Sequence, residues 1–274
     1  MREYKGDAII KVDAHAVIPE DFVSKNVRVL ETGEYICGGQ RPNIIDKPTP
    51  FKETLLLAES SMFGSSIASY RNNPGKTYVK SLFHAAYRRE VFEKVGFFNE
   101  ELVRTEDNEI HYRMRKAGYK LCFDPDIISY QYTRSSLKAM LKQKYANGYW
   151  IGKTSKVCPK CLSIYHFVPF AFVSAIIASG SVIGATGLAE CIKKRHNHTL
   201  GKGISALRKV TVVLTTVMWV LYALMASGMA AVSAFKAEDK RNITNACLPV
   251  LFLLLHLSYG IGTIAGLMDK SKRG

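Results

Sequence analysis

Residues 105–118 read Thr-Glu-Asp-Asn-Glu-Ile-His-Tyr-Arg-Met-Arg-Lys-Ala-Gly. Ile110, Met114 and Ala117 recur at helical spacing, Thr105 stands where a capping residue belongs, and Gly118 stands where a helix ends. The stretch predicts a helix that opens on two adjacent carboxylates, Glu106 and Asp107. Upstream, Ala8-Ile9-Ile10-Lys11-Val12 is a short, mostly apolar run that predicts a buried strand, turning polar at Asp13-Ala14-His15 and reaching Pro19 soon after. A carboxylate at that place sits at a strand's carboxyl end, where open α/β sheets bind ligands. Strand and helix together suggest an α/β domain built for metal-assisted group transfer with a general base.

Each part also has a plainer reading. Acidic residues in the first turn of any helix face the positive end of its dipole. Asp13 and His15 read equally as turn residues closing a strand. The surrounding sequence decides between the two.

The chain of 274 residues has two unlike halves. Residues 1–160 are mixed in composition and read as a globular α/β part; residues 161–274 carry three apolar stretches, 166–189, 210–235 and 247–268, none with a Lys, Arg, Asp or Glu. Each is long enough to cross a bilayer core, and the first two are rich in small residues that let membrane helices approach closely. Membrane lipids are therefore expected partners. The opening Met1-Arg2-Glu3-Tyr4-Lys5 leads into a charged segment without an apolar core, so no secretory signal is expected from it.

The formal charge of +15 is spread over both halves, so it does not form a nucleic-acid stripe. Its densest run, Lys193-Lys194-Arg195-His196-Asn197-His198 followed by Lys202, Arg208 and Lys209, flanks apolar segments and reads as a topology signal or a headgroup contact. Of the six cysteines only Cys158-Pro159-Lys160-Cys161 has ligand-like spacing, and without a second pair it reads as a turn leading to the membrane.

Taken in order, several motifs carry a resemblance. They are Lys11-Val12-Asp13-Ala14-His15-Ala16, Gly38-Gly39 with Arg41-Pro42, Tyr87-Arg88-Arg89-Glu90-Val91-Phe92-Glu93-Lys94-Val95-Gly96, and Glu106-Asp107-Asn108-Glu109. The run from Tyr87 continues through Phe97-Phe98-Asn99-Glu100, and Tyr112-Arg113-Met114-Arg115-Lys116-Ala117-Gly118-Tyr119, Asp124-Pro125, Gln143 to Trp150 and His256-Leu257-Ser258-Tyr259-Gly260 complete the set. The chain resembles the C-terminal two-thirds of a catalytic domain of glycosyltransferase family 2, the inverting GT-A enzymes, followed by a helical transmembrane region. Membrane-bound members that build bacterial exopolysaccharides of the succinoglycan type are the nearest likeness.

The resemblance implies roles residue by residue. The family's Asp-x-Asp metal motif falls on Asp13-Ala14-His15, implying a divalent cation, Mn2+ or Mg2+, that bridges the diphosphate of a nucleotide-sugar donor. His15 replaces the second carboxylate, and imidazole suits manganese better than magnesium. Asp107 falls on the general base that deprotonates the acceptor hydroxyl, and Glu106 on the neighbour that orients it or touches the acceptor. Gly38 and Gly39 fall where side chains are kept away from the sugar or acceptor, although a tight turn explains them as well. Gln143 and Trp150 match a Gln-x-x-Arg-Trp region that meets the acceptor, but Lys144 and Asn147 stand in the segment and no Arg precedes Trp150. Helical spacing of Leu137, Leu141, Tyr145 and Tyr149 offers a packing face for the same segment.

The implied protein is a multi-pass cell-membrane transferase. Its catalytic part faces the cytoplasm, its donor is a nucleotide-sugar, and its acceptor is a lipid-linked or polysaccharide glycan. A GT-A domain ordinarily opens with a βαβ unit that holds the nucleoside, and nothing before Met1 supplies it, so the chain is expected to be a fragment inactive alone. A catalytically inactive remnant and a membrane scaffold are the alternatives. Topology is contested within the sequence: a fully crossing first segment puts the basic loop outside, whereas a re-entrant one, broken at Pro169, Gly180, Gly184 or Gly187, returns it to the cytosol.

Overall fold

The computed structural model describes residues 4–14, 16–64, 75–195, 201–237 and 242–271. The sheet-bearing half runs β1 (Ala8–Ile10), β2 (Ala16–Val17), α1 (Phe22–Glu31), β3 (Ile36–Gln40), β4 (Asn43–Ile44), α2 (Pro50–Ser60), β5 (Thr77–Val79), β6 (Ala85–Arg88), α3 (Arg89–Val95), α4 (Glu106–Lys116), β7 (Leu121–Ile128) and β8 (Tyr130–Tyr132). Four long helices follow: α5 (Leu137–Val157), α6 (Val168–Arg195), α7 (Lys202–Phe235) and α8 (Leu248–Met268).

The main sheet has the order β1-β6-β3-β7-β5. Only β3 and β7 pair in parallel; the other pairs are antiparallel. Period-2 alternation sorts its side chains onto two faces. Ile36, Tyr87, Leu121 and Phe123 point to one face and pack with Phe92, Ile110 and Met114 of α3 and α4. Their neighbours Cys37, Ala86 and Cys122 point to the other and pack with Phe22, Val29 and Leu30 of α1. The result is a helix layer on each side of a mixed sheet. Burial pushes the Cys37 thiol up to about 12 and the Cys122 thiol to about 11, so both are inert packing groups.

The register of β3 against β7 shifts between Gly38 and Gln40. A Cβ on Gly39 would stand 2.0 Å from the Ile127 carbonyl oxygen and 2.3 Å from that of Asp124. One on Gly38 would stand 2.8 Å from the His84 carbonyl oxygen, so both glycines permit close strand approach in the middle of the sheet. The strand expected over residues 8–12 ends at Ile10 and is the outermost of its sheet among the described residues, with Ile9 and Ile10 only half-buried. A small second sheet, β2-β8-β4, follows directly on the Asp13 turn.

The four long helices do not form a separate layer. Leu55 and Ala58 of α2 and Met140 of α5 share one buried cluster with Ala226 and Ala230 of α7 and Leu248, Leu251, Phe252 and Leu255 of α8. The 160/161 boundary read from hydropathy is thus not a packing boundary. The face α5 buries runs through Met140, Lys144, Gly148 and Gly152, one position round from the Leu137, Leu141, Tyr145 and Tyr149 stripe, and Tyr145 is exposed.

Glycine explains that offset. A Cβ on Gly148 would lie 2.0 Å from the Tyr259 carbonyl oxygen and one on Gly152 2.5 Å from that of Thr263. From the other side, Cβ atoms on Gly262 and Gly266 would lie 2.1 and 2.0 Å from the carbonyl oxygens of Tyr145 and Tyr149. Two pairs at i and i+4 spacing let the α5 and α8 backbones touch. The expected break in the first apolar segment does not occur: α6 is one continuous helix through Pro169, Gly180, Gly184 and Gly187.

Candidate active site

The first turn of α4 brings Glu106 and Asp107 against the chain leaving β1. Lys11 Nζ lies 2.6 Å from Asp107 Oδ1 and 3.0 Å from Glu106 Oε1, and it also lies over the Phe98 ring. All three side chains keep about a fifth of their surface open, so the cluster sits at a mouth rather than in the core. Burial pushes the Asp107 carboxyl up to about 7, against the downward pull of Lys11, with Glu106 and Asp13 adding to the rise. For Lys11 the balance is opposite. Burial works against its charge, but the two carboxylates outweigh burial and hold its pKa above the ordinary lysine value.

Four devices fix the helix that presents these carboxylates. Gly118, at φ 95°, ends α4 as the sequence predicts. Thr105 occupies the N-cap position but does not cap with its side chain; its hydroxyl instead hydrogen-bonds the Thr154 hydroxyl of α5, a correction to the expected capping role. Arg113 grips Glu109 through two bonds, of 2.6 and 2.8 Å, and donates to the carbonyls of Val95 and Phe97, pinning the turn at Gly96 (φ 78°) to α4. His111, fully buried, bridges Ser81 Oγ at 3.0 Å and Tyr87 Oη at 2.8 Å. Burial lowers its pKa to about 3, so it ties α4 to β6 as a neutral ring.

Asp13 lies two residues beyond Lys11, about a third exposed, with its Oδ2 4.0 Å from His84 Nε2. His84 is buried and shares a 2.8 Å hydrogen bond with Ser129 Oγ. Lys11 thus links the strand that carries Asp13 to the helix that carries Glu106 and Asp107. His15, the other expected ligand, lies outside the described residues. Gly38 and Gly39 lie in the central strand of the sheet. Gln143 and Trp150 share a helical stripe of α5 with Asn147 and Thr154, which bond Arg104 (3.1 Å) and Thr105 just ahead of the carboxylates. Trp150 is buried and meets Tyr149 edge-on; Gln143 Oε1 is buried and has no hydrogen-bond partner among the described residues. Lys11, Glu109, Arg113 and His111 were not singled out in the sequence, although the i, i+4 spacing of Glu109 and Arg113 signals their pair.

A family model described as "Glycosyl transferase family group 2" matches residues 8–263. The chain belongs to glycosyl transferase family group 2. Over 145 residues it is 27% identical to the succinoglycan biosynthesis protein ExoA of Rhizobium meliloti (strain 1021), covering 52% of this chain and 43% of that protein. Over 185 residues it is 24% identical to a dolichyl N-acetyl-alpha-D-glucosaminyl phosphate 3-beta-D-2,3-diacetamido-2,3-dideoxy-beta-D-glucuronosyltransferase of Methanococcus voltae, covering 65% and 56%. The O-antigen chain rhamnosyltransferase RfbN of Salmonella typhimurium is 29% identical over 133 residues, covering 46% and 42%. The chain spans about half the length of these curated relatives.

Of the two residues expected to hold a divalent cation, only Asp13 lies among the described residues. Asp13 offers a partly open hard-oxygen ligand, and among the described residues no three His, Cys, Asp or Glu side chains converge into a closed cage. Magnesium-type sites commonly use one or two carboxylates and complete their shell with phosphate oxygens and water. Three helices of this transferase are long and apolar enough to cross a membrane: Ile164–Lys193, Lys202–Phe235 and Ile243–Met268.

Proposed function

We propose that this family group 2 glycosyl transferase is a membrane-anchored inverting enzyme. It moves a sugar from a nucleotide donor to a lipid-linked or polysaccharide acceptor in cell-surface glycan synthesis, with its catalytic half in the cytoplasm. The observation that carries the reading is the convergence of Glu106 and Asp107 on Lys11, two residues before Asp13. Donor-side and acceptor-side carboxylates are thereby brought to one mouth.

Asp107 accepts the proton of the acceptor hydroxyl as that oxygen attacks the anomeric carbon from the side opposite the nucleotide. The bond from that carbon to the diphosphate breaks with its electron pair on the leaving phosphate, and one displacement inverts the centre. Asp13 and His15 would hold a divalent ion, which would supply charge neutralisation at the diphosphate. Lys11 occupies Asp107 Oδ1 and orients the carboxylate. Glu106 Oε2 is buried without a hydrogen-bond partner among the described residues, which suits it to a second acceptor hydroxyl. Gln143 and Trp150 would line the acceptor approach along α5, and Gly38 and Gly39 would keep the sheet centre clear beneath the sugar.

The open flank of β1, with Ile9 and Ile10 half-buried, supports a further layer that carries the nucleoside. The test is transfer of radiolabelled sugar into lipid-extractable or polymeric product by membranes carrying the protein, compared with D107N. Equal transfer by the variant would overturn the assignment of the base.

A further inference from the structure

The start of α8 is tied to α2 of the sheet-bearing half and its end to α5. At its start, Asn242 Nδ2 donates to the Pro50 carbonyl at 2.7 Å and Thr244 Oγ1 to the same carbonyl at 3.0 Å. Thr54 Oγ1 donates to Asn245 Oδ1 at 2.8 Å, so the turn leading into α8 is bolted to the first turns of α2. At its end, Asp269 accepts from the Tyr149 hydroxyl, Lys156 Nζ donates to the Asp269 carbonyl at 2.8 Å, and Lys153 Nζ donates to the Ser271 carbonyl at 2.5 Å. A helix that crosses a membrane must deliver its ends to opposite sides of a hydrocarbon core about 30 Å thick.

The course of α8 between these ends agrees. It runs parallel to α5, with Ser258 bonded to the Leu141 carbonyl, Tyr259 against Gly148, Thr263 against Gly152 and Asp269 against Lys156. The exposed Lys138, Lys142 and Lys156 of α5 would be strongly disfavoured at the centre of a bilayer. So α5 lies outside the hydrocarbon, and α8 lies beside it. The large side chains that α8 leaves most open are Val250, Ile261 and Met268. At 100° per residue these three fall within about 20° of one another, a narrow apolar stripe along the whole helix.

α6 and α7 behave differently. They form an antiparallel hairpin, with Phe172 stacked on Tyr222 near the catalytic half and Glu190 paired with Arg208 at the far end. Many of their large apolar side chains are exposed, including Ile177, Leu188, Val213 and Leu214. The stretch of α6 from Ile177 to Arg195 is about 28 Å long, close to the thickness of a bilayer core.

We propose that only the α6–α7 hairpin crosses the bilayer, while α8 lies flat between the catalytic half and the lipid with its Val250, Ile261 and Met268 stripe against the acyl chains. The C-terminus then stays on the catalytic side and the basic segment between α6 and α7 stands on the other. Hydropathy alone gives three crossings and puts the C-terminus opposite the catalytic half.

The full chain, with Cys158, Cys191 and Cys247 replaced by serine, is labelled in intact and permeabilised cells with a membrane-impermeant maleimide at one of three sites. Ser24→Cys marks the catalytic half, Leu200→Cys the hairpin turn and Ser271→Cys the C-terminus. The expected pattern is that positions 24 and 271 share one accessibility and position 200 has the opposite. Position 271 siding against position 24 would show that α8 crosses, and position 200 siding with position 24 would show that the hairpin does not; either overturns the proposal. A fluorescent or phosphatase reporter fused after Gly274 reads the C-terminal side independently, should the cysteine variant at 271 fail to accumulate.

Discussion

The Lys11 ammonium lies 2.6 Å from Asp107 Oδ1, on the carboxylate proposed as the general base. With the Asp107 carboxyl pushed up to about 7, only its ionised fraction removes a proton, so transfer should fall about tenfold per unit below pH 7. Lys11→Met removes the neighbour that favours the ionised form. The acid limb of the pH–rate profile should therefore move to higher pH, with activity largely recovered in alkaline buffer, whereas Lys11→Arg should restore the limb. An unmoved limb would show that Lys11 does not set the charge of Asp107.

Asp107→Asn keeps the shape of the site and removes its basicity. Transfer should drop by roughly 10²–10⁴-fold, the usual worth of a general base, with donor affinity nearly unchanged. Kinetics in membranes and donor titration in detergent separate the two effects.

Asp13→Asn should show the reverse emphasis. A neutral amide holds a divalent cation poorly, so the gain in donor affinity on adding Mn2+ should shrink or vanish. Titration calorimetry with and without Mn2+ reads this directly, and an undiminished gain would remove Asp13 from the metal site.

Arg113→Ala takes away the grip on Glu109 and on the Val95 and Phe97 carbonyls at once. Glu109 is left buried without its partner, and a loss of about 2–4 kcal/mol is expected. Transfer should fall with it, because the same helix aims Asp107. Denaturation followed by near-ultraviolet circular dichroism gives the first quantity.

Gly262→Leu would drive a side chain into the Tyr145 carbonyl and separate α5 from α8. The cost should exceed the usual ~1–3 kcal/mol of an overpacked site, because backbone rather than a movable side chain blocks the way. The detergent-solubilised variant should unfold at a clearly lower temperature than wild type.

Much of this was legible in the sequence for identifiable reasons. The spacing of Ile110 and Met114, closed by Gly118, marks α4 because helical period and a left-handed stop agree. Asp13 reads as a strand-end carboxylate because the chain turns polar just after an apolar run. Lys11 was hidden inside that run, and its meaning depends on a contact across 96 positions of chain. Thr105 was misread because a hydroxyl that can cap a helix can also reach another helix, and only the position of Thr154 decides. On α5, Leu137 and Leu141 of the legible stripe do pack against the buried cluster, but the closest approach to α8 is hidden because glycine carries no apolar signal, while Gly148, Gly152, Gly262 and Gly266 set that contact. Hydropathy likewise could not separate α8 from α6 and α7, since a helix buried by protein and one buried by lipid have the same composition.

The cluster that joins Leu55, Ala58 and Met140 to Leu248, Leu251, Phe252 and Leu255 also imposes an order on the birth of the molecule. α2 and α5 are made before either of the helices that cover their apolar sides, α7 and α8, so these contacts close only once both of those helices have been made. A stop codon anywhere before residue 248 would yield not a shorter enzyme but a substrate for proteolysis.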